Sequence, residues 1–449
     1  MKIIVFTGSP KGEKSVTLQY VRYLEDLFPE IEFVEHHISA NIRSIELESA
    51  RLEEILRDVK DADAVLWAFP LYFGMVHGAY KRFIELVQKR EKTDVFEGKP
   101  CGILATSIKF FDHFAIEYLI GISEDWGMRV MEVFSAGMND LIKEKGEEQL
   151  KCFFLEFKRK IQSGAQMARM SAPVDHLVNS LEQVDRPEPK TEKTAKLGLL
   201  TEYGDSHNLD QMTQALQREF SSSEVFDLSE IKILGHCLGC LKCGYENHCV
   251  YEGKDEVIDT YRRLQACDVI VLAGTIHDRH LSSRWKTFVD RLFFTTHIPF
   301  FVGKPVGFLI SGPLRQIPNL RQWMTGIWEV QGMTIAGIVT DESIHALKEV
   351  RALANTLESY AQMNYQAPRQ FPAIGGHKVF RDAIAGGLKG VFGADHQYYK
   401  KNGLYDFPQN SHLLNLKGTA LNMAMKLPPV RKKIQENMPD YMIMSFKKK

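Results

Sequence analysis

The sequence has no apolar run close to the roughly 20 residues that a helix needs to cross a bilayer, which predicts no membrane span. It has no surplus of charge of either sign. Its 56 Lys and Arg stand against 57 Asp and Glu, so no broad basic field for nucleic acid is expected. Its start, Met1 to Phe6, lacks the longer apolar core and small-residue cleavage site of a signal peptide and reads as a strand. Its seven cysteines are odd in number and too clustered for a disulfide framework, which points to a reducing cytoplasm. A nicotinamide-specific fingerprint is also missing. What remains is 449 residues, 44% of them hydrophobic, enough for two or three domains with packed cores.

Lys2 to Phe6 is short, apolar and β-branched, and closes on Thr7-Gly8-Ser9-Pro10, the pattern of a buried parallel strand. From Ser15 onward, Leu18, Val21, Leu24 and Leu27 mark one helix face, and Pro29 ends the helix. A second strand is expected over Ile31–Ile38, a helix near Ser49–Val59, and a third strand over Ala64–Phe69. A helix near Tyr80–Gln88, a strand over Cys101–Thr106 and a last strand from Gly127 follow. Alternating strands and helices predict an α/β fold with a doubly wound parallel sheet.

The same order then returns. Gly303-Lys304-Pro305 repeats Gly98-Lys99-Pro100, Gly332-Met333 repeats Gly127-Met128, and Lys286 and Phe288 repeat Lys81 and Phe83, all at an offset of 205 residues. The offset is smaller earlier, 194 from Lys2 to Lys196 and 190 from Ile38 to Leu228, so the second copy carries an insertion after its second strand. This is a domain duplication. The proline- and charge-rich stretch Asp185–Lys193 reads as a linker. The expected boundaries are a first domain at 1–182, a linker at 183–195, a second domain at 196–365 and a mainly helical extension at 366–449. The extension is read as a structural cap, with an active-site cover or a homo-oligomer contact as alternatives.

Ligands of open α/β sheets bind beyond the carboxyl ends of the strands, where strand order reverses. Three loops of the first copy lie there. Gly8 to Thr17 offers the hydroxyls of Ser9, Ser15 and Thr17 at a helix N-terminus, which suits a phosphate. The same residues also serve as ordinary helix caps. Pro70-Leu71-Tyr72-Phe73-Gly74 offers two aromatic rings and a glycine, either to support a flat heteroaromatic ring or to pack against its own domain. Thr106-Ser107 is polar and follows a buried strand.

In order and spacing, these loops together resemble those of the NADPH-dependent FMN reductase-like branch of the flavodoxin-like superfamily. The resemblance covers residues 1–175 and, more loosely, 195–365. It implies two tandem flavodoxin-like domains and an FMN. The phosphate would lie at Ser9, Ser15 and Thr17, with Lys11 in the same loop. The isoalloxazine would lie against Pro70, Leu71, Tyr72, Phe73 and Gly74 and against Thr106 and Ser107. The second copy has Glu202 and Asp205 in its first loop and Thr275–Arg279 at the ring position, so one FMN per chain is expected, in the first copy, with a second FMN in the second copy as the alternative.

The insertion in the second copy holds Cys237, Cys240, Cys243 and Cys249, spaced C-x2-C-x2-C-x5-C. Such a compact loop lets four thiolates converge on a cubane, whereas a zinc ribbon separates its two knuckles by a dozen residues or more. Zinc and no metal stay open as alternatives. The spacing and position resemble the iron–sulfur flavoproteins of the same superfamily, which implies a [4Fe-4S] cluster. Cys101, Cys152 and Cys267 read as buried small hydrophobes. His36 and His37 alternate on a strand and should not chelate together. The run His277-Asp278-Arg279-His280 would face an anion, a substrate or the partner domain.

These expectations amount to an FMN-dependent oxidoreductase. It would move electrons between NAD(P)H or a reduced ferredoxin-like carrier, FMN, a cluster and a small-molecule or protein acceptor. The flavin supplies the chemistry, so no side chain is named as catalytic. The alternatives are a cluster-free NAD(P)H-dependent FMN or quinone reductase, and a non-catalytic electron carrier or redox sensor.

Overall fold

The unbroken apolar run of β1 (Lys2–Thr7) suits a strand covered on both faces, and Ile3 to Phe6 are fully buried. The computed structural model describes residues 1–176, 179–181 and 193–444. The other strands of the first copy are β2 (Glu32–His36), β3 (Ala64–Pro70), β4 (Pro100–Ser107) and β5 (Arg129–Gly137). They form a parallel five-stranded sheet ordered β2-β1-β3-β4-β5. Its helices are α1 (Val16–Leu27), α2 (Ile38–Leu47), α3 (Ser49–Asp61), α4 (Gly78–Lys89), α5 (Asp112–Asp125) and α6 (Glu144–Gln162).

The second copy repeats this with β6 (Leu197–Thr201), β7 (Ser223–Asp227), β8 (Val269–Thr275), β9 (Pro305–Ser311) and β10 (Thr334–Thr340). From the opposite edge its order is β10-β9-β8-β6-β7, which is the first sheet's topology again. The register repeats as well: Pro70 lies opposite Thr106, and Thr275 opposite Ser311. Its helices are α7 (His207–Gln217), α8 (Lys242–Glu246), α9 (Val257–Gln265), α10 (Ser283–Arg291), α11 (Phe294–His297), α12 (Pro318–Val330) and α13 (Ala346–Met363). Beyond them come α14 (Phe371–Ala383), α15 (Gly393–Lys401), α16 (His412–Met425), α17 (Pro428–Glu436) and α18 (Met438–Ile443), the helical extension that the sequence predicts. Met1–His396 is one compact unit and Gln397–Lys449 another. No described helix is long and apolar enough to cross a membrane.

One apolar cluster joins the facing sides of the two sheets, running from Phe6 and Trp67 through Phe111 and Ile327 to Leu272 and Phe308. The outer face of the first sheet packs on α1 and α6 through Leu18, Val21, Phe154 and Phe157. The outer face of the second packs on α7 and α13 through Leu209, Met212, Leu353 and Leu357. Each sheet is therefore buried on both sides, as parallel sheets are.

Three details depart from the sequence reading. The second strand stops at His36, and Ile38 opens α2, whose Ile38, Ile42 and Ile45 recur at helical spacing and are buried. Leu27 is 37% exposed instead of completing the buried stripe of α1. Cys152 is exposed on α6, whereas Cys101 and Cys267 are buried. Of the linker stretch, residues 185–192 lie outside the described residues, while Lys193 pairs with Glu219 at 3.0 Å.

Candidate functional site

The carboxyl ends of β1, β3 and β4 bring the three loops of the first copy together. Ser15 caps α1 by accepting from Leu18 N, and Ser9 accepts from Lys11 N at 3.2 Å. The Thr17 and Thr106 hydroxyls meet at 2.6 Å, which joins the first loop to the third. Leu71 N donates to Thr106 O at 3.0 Å, which joins the second loop to the third. Ser107 accepts from Lys109 N at 2.9 Å. Gly12 holds φ at +51°, and a side chain there would meet only open space. The first amides of α1 have no intrahelical partner by construction, so the loop offers hydroxyls and N–H groups at the start of α1.

The matching place in the second copy is filled from within. Ser206 caps α7 as Ser15 caps α1. Here, however, Asp341 accepts from Ser311 Oγ at 2.6 Å, from Gly312 N at 2.8 Å and from Asn208 Nδ2 at 3.1 Å. Asp341 stands where the 205-residue offset places Ala136 in the first copy. A buried carboxylate thus stands among the polar groups at these strand ends in the second copy. Glu202 accepts from Ser282 at 2.7 Å, and Asp205 pairs with His277 at the same distance.

The cysteine loop folds onto the first copy's ring loop. Gly239, with φ at +61°, lies so close to Tyr72 that a Cβ would stand 2.4 Å from the tyrosine hydroxyl oxygen and 3.2 Å from Lys11 Cε. His77 donates from Nε2 to the Cys237 carbonyl at 2.9 Å. The His77 and His236 rings lie 5.4 Å apart, and His236 Nδ1 meets Thr287 Oγ1 at 2.8 Å. Burial holds both imidazoles low, His236 at about 4, so both are neutral spacers at pH 7.

Cys237, Cys240, Cys243 and Cys249 line one narrow cavity that Tyr251, Arg291 and Phe294 help to close. Burial pushes the Cys237 thiol up to about 12, with Asp290 and the neighbouring cysteines adding to it. Burial also raises Cys243, and the other three cysteines push in the same direction. The thiols are therefore close enough to feel one another. Among the described residues, only Glu13, Glu35 and His37 place three ligand atoms within 4.8 Å of one another.

His36 and His37 take different partners, Asp58 at 3.1 Å and Glu13 at 3.1 Å. The His277–His280 run faces the first copy: Asp278 accepts from Lys81 Nζ and Tyr118 Oη, each at 2.8 Å, and Arg279 forks onto Asp125 at 2.6 and 2.8 Å. Sequence reasoning missed His77, Asp341 and Arg291. Laying one copy on the other at the 205 offset could have flagged two of them, since Ala136 becomes Asp341 and Leu86 becomes Arg291.

Two parallel sheets with a shared order and loops gathered at their carboxyl ends define a tandem flavodoxin-like protein. The profile of the NADPH-dependent FMN reductase family matches residues 1–133 and again 205–343, more than half of the chain, and the chain belongs to that family. It is similar to an iron-sulfur flavoprotein of Archaeoglobus fulgidus, 27% identical over 118 residues, which are 25% of this chain and 51% of the relative. The chain thus spans about half the length of that curated relative. Among solved structures it is similar to an apo NADH:FMN oxidoreductase, with 19% identity and a TM-score of 0.30 over 36% of this chain and 89% of the other. It is also similar to a flavoenzyme NAD(P)H:acceptor oxidoreductase of Paracoccus denitrificans, with 16% identity and a TM-score of 0.28 over 35% and 97%.

Proposed function

We propose that this chain is an FMN-dependent oxidoreductase of the iron–sulfur flavoprotein type, with both redox sites in one polypeptide. Two domains, 1–182 and 196–365, joined through 183–195 and followed by the extension 366–449, divide the work. The first holds FMN; the second holds a [4Fe-4S] cluster on Cys237, Cys240, Cys243 and Cys249. NAD(P)H or a reduced carrier is the donor, and a small molecule or protein the acceptor. The flavin, when bound, supplies two-electron and one-electron chemistry, and the cluster one-electron chemistry.

The chain's own residues position these groups. Ser9, Lys11, Ser15 and Thr17 hold the phosphate, and Pro70, Leu71, Tyr72, Phe73, Gly74, Thr106 and Ser107 receive the ring. In the second copy Asp341 stands among the polar groups at the strand ends, which supports a single flavin per chain. The observation that carries the reading is the contact between Gly239, inside the cysteine motif, and Tyr72, inside the ring loop. It supports a flavin site and a cluster site lying side by side within one compact unit.

The test is NAD(P)H oxidation followed together with the visible spectrum of anaerobically purified protein. Bleaching of both flavin and cluster absorbance supports the proposal. Turnover by an iron-free protein favours the plain FMN or quinone reductase, and tight FMN without nicotinamide turnover favours a carrier or sensor.

A further inference from the structure

The buried side of α10 carries a charge that its counterpart lacks. Arg291 stands at the position of Leu86 on α4, and the two are equally hidden, 2% and 5% exposed. Putting a guanidinium where a leucine can sit is costly unless the charge is matched. Part of the match is Asp255, which accepts from Nη1 and Nη2 at 3.0 and 3.1 Å. Asp255 is itself shared, since it also accepts from Leu234 N at 3.1 Å and from Val257 N at 3.4 Å. The Tyr251 ring lies 4.2 Å from the guanidinium carbon, and Gly235 O accepts from Nη1 at 3.3 Å.

The remainder points at the cysteines. Arg291 lines the cavity that Cys237, Cys240, Cys243 and Cys249 share. Its Nε is buried without a hydrogen-bond partner. The neighbouring Asp290, on the same helix turn, already has Lys286 and Gly78 N for company. Arg291 thus brings to this cavity a buried positive charge that Asp255 shares, and it is present only in the copy that has the cysteine motif.

We propose that Arg291 sets how readily the cysteine-bound centre takes up an electron. This rests on the reading of Cys237, Cys240, Cys243 and Cys249 as ligands of an iron–sulfur cluster. One-electron reduction adds a unit of negative charge, breaks no bond and moves no obligatory proton. A buried cation lining the cysteines' cavity stabilises the reduced form more than the oxidised one, because Coulomb terms are strong where water is excluded. Asp255 opposes it, so the two residues act with opposite sign.

The experiment is an anaerobic redox titration of the full chain with dithionite and mediators, read by electron paramagnetic resonance, with iron and sulfide assayed in each sample. Arg291→Leu is expected to lower the midpoint potential by at least a factor of ten in the reduction equilibrium, which is 59 mV for one electron. Arg291→Lys should stay near the parent, and Asp255→Asn should move the potential upward. If Arg291→Leu loses its iron, the Asp255→Asn shift decides. Unmoved potentials, or shifts of one sign in both charge-changing variants with iron and sulfide intact, would overturn the assignment alone. An iron-free parent protein would overturn the cluster reading with it.

Discussion

Lys81 and Lys286 stand at the same position of the two copies, and each reaches across to the other copy's ring loop. Lys81 Nζ meets Asp278 Oδ2 at 2.8 Å; Lys286 Nζ meets the Tyr72 carbonyl at 3.1 Å and pairs with Asp290. Both lysines are fully buried. The exchange makes the contact between copies self-complementary, as in an isologous dimer interface, but built into one chain.

The first consequence concerns stability. Lys81→Met leaves Asp278, also fully buried on its side chain, without its counter-charge. Breaking a buried pair from one side costs about 3 to 5 kcal/mol, and Asp278→Asn added to Lys81→Met should recover part of that. Urea unfolding checks both. An unchanged midpoint for the single variant would show that the pair does not hold the copies together.

Gly239→Ala should disturb both loops at once. The new Cβ would clash with the Tyr72 hydroxyl, and the backbone there is left-handed. Weaker FMN binding and faster loss of iron are expected together. Tyr72→Phe should relieve the steric part, leaving the backbone strain and the approach to Lys11. If Gly239→Ala affected iron retention but not flavin binding, the contact would have no bearing on the ring loop.

Thr17→Val and Thr106→Val remove the two hydroxyls that meet at 2.6 Å. Each should weaken FMN binding by about tenfold, about 1.4 kcal/mol, through a lost hydrogen bond. Ser206→Ala, at the loop that Asp341 fills, should leave flavin binding unchanged. Quenching of FMN fluorescence reads all three.

Much of this was legible in the chain. The alternation of strands and helices, the duplication and the grouping of Ser9, Thr17, Tyr72 and Thr106 beyond the carboxyl ends of the strands follow from buried β-branched runs and from loops placed after them. For the His277–His280 run the partner domain was one of three readings, but the pairing itself was not legible, because Lys81 and Asp278 lie 197 residues apart and neither has a local reason to be buried. Helix α2 was missed because Ile38 continues the apolar pattern of β2 across the boundary. Arg291 and Asp341 were hidden in otherwise ordinary helix and strand-end sequence; only a copy-to-copy comparison sets them apart from Leu86 and Ala136.

Glu35, beside Glu13 of the Gly8–Thr17 loop, gives a pH test. Burial, followed by Arg22 in the opposite sense and by Glu25 and Glu13, leaves its carboxyl raised to about 7. A raised folded-state value means that its contribution is fully present below about pH 4.5 and is lost as pH rises through 7. Glu35→Gln should therefore gain thermal stability over the parent at about pH 8 and little at about pH 5. Melting curves at the two pH values check this; an equal difference at both would contradict it.

The central claim is one flavin site and one cluster site per chain. Anaerobic purification followed by flavin, iron and acid-labile sulfide assays measures it directly. The account predicts one FMN, four irons and four sulfides per polypeptide. An iron-free protein with Cys237, Cys240, Cys243 and Cys249 all titrating as free thiols, or two FMN per chain, would contradict it.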